Sequence, residues 1–158
     1  MDNQNLKFDF VFLGQSVLKY QVPLDIFTAI NQIYEQNYHN LNKANGQLVG
    51  KIENEHSLFY HGKDQSKMKN HNLLPRNVTD YLMSIFKHYL AFNKIRDYET
   101  HLNSIWVNEM KQHEYNPAHI HRGMLFTGLS SVMILKLPST YGKEYSAEHI
   151  QQNGRLQI

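Results

Sequence analysis

The chain has 158 residues, enough for one domain with a real core, and its 16 basic and 14 acidic residues leave a net charge of +2. That balance is too small to recruit nucleic acid or an anionic membrane. The lack of cysteine excludes disulfides, thiolate metal sites and a cysteine nucleophile. No apolar run approaches the ~20 residues that span a bilayer. Residues 1–6 lack the pattern of a signal peptide, so a cytoplasmic protein is expected, in the host cytoplasm if the source is viral.

Phe8 to Leu13 and Val17 to Val22 read as two strands around Gly14-Gln15-Ser16, because both are rich in aromatic and β-branched residues. Pro23 opens a helix whose Leu24, Phe27, Ile30 and Tyr34 form a stripe, with Ile26 and Ile33 beside it. Residues 37–50 are polar and turn-rich, and Leu48–Ile52 and Phe59–Gly62 follow as two short strands. The basic loop 63–70 reads as a solvated turn. Pro75 and Asn77 announce a second helix over 76–95, with Val78, Tyr81, Leu82, Ile85, Phe86, Tyr89 and Leu90 at helical spacing. His88 on that helix is expected at the surface or the core edge.

After Asp97 the period becomes alternating, so 100–110 is expected as a strand. Leu102, Ser104, Trp106, Asn108 and Met110 share one face of it. Val132–Leu137 is almost wholly apolar, as expected of a strand covered on both faces. Gly154–Ile158 reads as the start of one more strand. The order favours an α+β domain or a jelly-roll barrel with helices packed outside.

Between these strands lies Asn116-Pro117-Ala118-His119-Ile120-His121. If 119–121 is extended, both imidazoles project to one side, and neutral imidazole is a common ligand for iron, zinc and copper. A carboxylate or a third histidine must then come from elsewhere.

The run W-x-N, E-Y-N-P-x-H-x-H and S-S-V-x-x-L-K-L-P over 106–138 resembles a family of 2-oxoglutarate/Fe(II)-dependent dioxygenases from marine phages and bacteria. Leu48–Glu55 resembles a further segment of that family. The resemblance implies a mainly β, double-stranded β-helix (jelly-roll) fold within a single domain. Residues 1–98 would give the N-terminal strands and two outer helices, and 99–158 the first part of the jelly-roll core. It also implies Fe(II) and 2-oxoglutarate as cofactors, with His119 as the first metal ligand. His121 stands where most of the superfamily has a carboxylate. Asn108 and Asn116 would orient the site or fix its turn, and Trp106 would pack beside it.

The sequence departs from the family at Ser131, where the family has glycine, and at Met133-Ile134, where it has tyrosine. The sequence is expected to end before the family's distal histidine, which leaves His149, Glu144 and Glu148 as third-ligand candidates. The resulting expectation is an oxygenase of unknown substrate. The alternative is a catalytically degenerate jelly-roll acting as a binding or virion-associated module. A cupin-like metal protein is disfavoured, because no glutamate follows His121 at the required short spacing. An unfinished barrel with an open edge is also expected to form homo-oligomers.

Overall fold

The computed structural model describes residues 7–12, 16–60, 73–117, 119 and 128–139. Packing divides the chain into two compact units, Met1–Asn116 and Pro117–Ile158. The described residues form a mixed α+β arrangement of two helices and two small antiparallel sheets, with no closed barrel among them.

In the first unit, β1 (Phe8–Phe12) and β2 (Ser16–Tyr20) pair as an antiparallel hairpin, with Phe8 opposite Tyr20 and Phe12 opposite Ser16. β2 stops two residues before its expected end. Helix α1 covers Leu24–Asn37, and Pro23 sits just outside it with extended backbone. Its buried stripe is Ile26, Ile30 and Tyr34, whereas Leu24 is 77% exposed. The inward face is therefore rotated from the expected stripe, onto an i, i+4, i+8 row that remains one helical face.

A turn of 3₁₀ helix (Tyr38–Asn40), the two-residue strand β3 (Asn42–Lys43) and a second 3₁₀ turn (Asn45–Gln47) follow. Leu48–Ile52 is not a strand, apart from a bridge of Lys51 to Tyr115. The Asn45 amide instead holds the carbonyls of Ile52 (2.6 Å) and Glu53 (3.2 Å), so a side chain takes the place of a ladder partner. The real strand is β4, Asn54–Tyr60. It lies at the centre of a three-stranded sheet, between β3 and β5 (Ser104–Glu109). The β4–β5 register pairs Asn54 with Glu109, Glu55 with Asn108, His56 with Val107 and Ser57 with Trp106, and a bulge follows before Phe59. The alternating segment expected over 100–110 is thus a strand only where β4 lies beside it.

Helix α2 runs Arg76–Phe92, three residues shorter than expected. It stops because Lys94 takes a left-handed φ of 57°. The N–H groups of Lys94 and Ile95 then bond back to the carbonyls of Ala91 (3.0 Å) and Leu90 (2.9 Å). This is the paired closure of a Schellman ending, built here without glycine. Val78, Tyr81 and Leu90 are its buried residues. Together with Ile26, Ile30, Tyr34, Ile52, Leu58 and Leu74 they form the core, and Leu58 and Val78 are fully enclosed. The hairpin leans on the C-terminal half of α2 through aromatic edges, Phe8 against His88 and Phe92, and Phe10 against Phe92. The Tyr20 hydroxyl lies 2.6 Å from Nδ1 of the half-buried His88.

In the second unit, residues 128–139 carry neither helix nor strand. Val132 (64%), Ile134 (52%) and Leu137 (57%) are exposed, against the expectation of a strand covered on both faces. A strand exists by its ladder, and none of the described residues pairs with this run. The strand expected over 154–158 lies outside the described residues. No helix among the described residues is long and apolar enough to cross a membrane.

Candidate functional site

The chain approaches the histidine motif through a tightly held turn. Glu114 accepts backbone N–H bonds from Lys111 (2.8 Å) and Glu53 (2.9 Å), which hold its carboxyl below the usual carboxylate range. Tyr115 then exchanges two backbone bonds with Lys51, at 2.8 and 3.1 Å. Asn116 is exposed, and the second unit begins at Pro117.

The exposed His119 places Nδ1 2.8 Å from the carbonyl oxygen of Pro117. A carbonyl only accepts, so in the neutral ring the proton sits on Nδ1 and the lone pair on Nε2. This is the arrangement that metal-ligating histidines usually adopt, with one ring nitrogen donating to a backbone carbonyl and the other presented to the ion. The tautomer and donor chemistry of His119 therefore fit a metal ligand. Its expected companions His121, Glu144, Glu148 and His149 lie outside the described residues. Among the described residues, no three histidine, aspartate or glutamate side chains gather in a way that would hold a metal.

Asn108 and Trp106 stand two residues apart on β5, on one face of the sheet and opposite Glu55 and Ser57. Trp106 is 38% exposed. The structure thus brings Asn108 and Trp106 onto one face, while Asn116 follows the Lys51–Tyr115 bridge and His119 lies in the second unit.

A polar network that the sequence reading missed occupies the other face of the same sheet. Buried His56 meets the Tyr34 hydroxyl at 3.2 Å, and its ring sits edge-on to Tyr38, 4.9 Å between centroids. The Tyr38 hydroxyl donates to Glu109 (3.3 Å), which also accepts from the Asn54 amide (3.1 Å). Burial and then the Lys43 charge hold His56 below the ordinary imidazole value, against the pull of Glu109. Burial first, and the Glu109 carboxylate second, push the Tyr34 phenol well above its usual range. His56 is therefore neutral and Tyr34 protonated near neutral pH, and the network joins α1 to the sheet as a set of satisfied dipoles. Its signal in the sequence was the i, i+4 pair Tyr34 and Tyr38, which spans the end of α1 and the 3₁₀ turn after it. That signal was hidden because the facing strand was expected at 48–52.

No family model, curated protein or solved structure matches the chain.

Proposed function

We propose that the chain is an Fe(II)- and 2-oxoglutarate-dependent oxygenase on a jelly-roll fold, with the metal held by His119 and His121. The observation that carries the reading is the Nδ1–H bond from His119 to the Pro117 carbonyl. It fixes the tautomer with the proton on Nδ1, in a motif that resembles that family over 106–138. In the first unit, Glu114 holds the turn at 111–114 through the Lys111 and Glu53 amides. His149 or Glu144 would complete the ligand set. The metal and cosubstrate would supply hydroxylation of a C–H bond coupled to decarboxylation of 2-oxoglutarate. We assign the protein to the cytoplasm on its cysteine-free composition.

A second reading, a non-catalytic binding module, is favoured by one observation, the exposed apolar side chains of Val132, Ile134 and Leu137. Turnover separates the two readings. With Fe(II), oxygen and ascorbate, the oxygenase consumes 2-oxoglutarate and releases succinate even without its prime substrate, and His119→Ala abolishes this. If the wild-type chain and the variant give the same background, the oxygenase reading fails and the binding module stands.

A further inference from the structure

Glu55 and Asn108 are direct cross-strand partners in the β4–β5 ladder, so their side chains share one face and lie side by side. Each carries a buried oxygen with no hydrogen-bond partner among the described residues, Oε2 of Glu55 and Oδ1 of Asn108. Glu55 is 6% exposed. Buried polar atoms are nearly always paired, and an orphan is destabilising. Two orphaned acceptors on opposed residues form a pattern that one hydrogen resolves. A proton on the Glu55 carboxyl makes it a donor, and Asn108 Oδ1 is an acceptor on the residue directly across the ladder.

We propose that Glu55 is a neutral carboxylic acid in the folded protein at neutral pH and donates its proton to the Asn108 amide oxygen. The pair then acts as a pH-sensitive latch between β4 and β5.

The surroundings agree. Ser57, Trp106 and Asn108 share the face of Glu55 and carry no charge. The titratable groups Tyr34, Tyr38, Lys43, His56 and Glu109 gather around the opposite face. Burial alone raises the Glu55 carboxyl above its ordinary range. Between its unfolded and folded values the folded state binds the extra proton, so stability is full at low pH and falls as pH rises through the folded value. The isosteric amide of glutamine mimics the protonated acid, since its Nε2–H can donate to the same oxygen. This proposal is independent of the oxygenase reading.

The test compares thermal melting of wild-type protein and Glu55→Gln across pH 5 to 8, metal-free and then with Mg²⁺ or Ca²⁺. The expected result is a melting temperature for Glu55→Gln at or above that of wild type, with the gap widening as pH rises. A variant less stable than wild type by the same margin at every pH would overturn the latch. So would a cation that raises the wild-type melting temperature and leaves Glu55→Gln unmoved, because the carboxylate would then be ionised and coordinating. Should Glu55→Gln fail to fold, infrared spectroscopy of the wild type decides. A protonated-carboxyl C=O band must persist at pH 7, and its absence contradicts the proposal.

Discussion

Strand β4 and the run 128–139 invert the usual relation between composition and burial. The first, Asn-Glu-His-Ser-Leu-Phe-Tyr, is half polar, yet Glu55, His56, Ser57 and Leu58 are all buried. The second contains Val-Met-Ile-Leu-Lys-Leu, yet Val132, Ile134 and Leu137 are more than half exposed. Position in a ladder separates them. β4 has a neighbour on each edge and α1 across one face, so polar side chains are enclosed with the residues around them and must find partners there. Hydrophobic character supplies a driving force, but the pairing of strands decides where it is spent.

The largest effect separating the two regions is expected at Leu58, which is fully enclosed. Leu58→Ala should cost about 2–5 kcal/mol by urea unfolding, through lost transfer energy plus the cavity left behind. Next comes the polar network. Tyr34→Phe deletes the partner of buried His56 and should cost about 1–3 kcal/mol. A loss as small as that of an exposed site would show that the network contributes only contact.

pH probes the same network with a defined sign. The folded-state value of His56 lies below the ordinary 6.5, so below that pH the unfolded chain binds more protons than the native one. Stability should therefore fall as pH drops from about 6.5 towards the folded value, and His56→Gln should flatten that limb of the melting curve. The Glu55 latch acts with the opposite sign, its stability falling as pH rises from the ordinary carboxyl value through the raised folded one, so the two variants separate the two contributions by sign.

A smaller gain is expected at the end of α2. Lys94→Gly relieves a side chain from a left-handed backbone that costs a non-glycine residue about 1 kcal/mol, partly offset by the chain entropy of glycine. The melting temperature should rise slightly. Smallest of all is Leu137→Ala in the second unit, expected within about 0.5 kcal/mol of wild type. A Leu137 loss approaching that of Leu58 would erase the contrast between the two regions.

Both helices were legible because their periodicity is local. Val78, Tyr81 and Leu90 repeat within one element, and no distant partner is needed to see them. The hairpin was legible for the same reason, since its two strands flank one short turn. The central sheet was not. Its strand 54–60 alternates poorly because residues on both faces are buried, and its ladder partner β5 lies some fifty residues away. The apolar run 132–137 misled for the complementary reason, since apolar character does not name a ladder partner. Of the candidate site, the residue type and spacing at His119 were legible. Its tautomer was not, because that depends on the carbonyl of Pro117 folding back to meet the ring.

The central claim concerns that ring. Anaerobic calorimetric titration of the whole chain with Fe(II), with and without 2-oxoglutarate, tests it most directly when run beside His119→Ala and His121→Ala. The account predicts one-to-one binding that strengthens with 2-oxoglutarate and is lost in both variants. Wild-type binding that is absent, or that survives unchanged in His119→Ala, would contradict it.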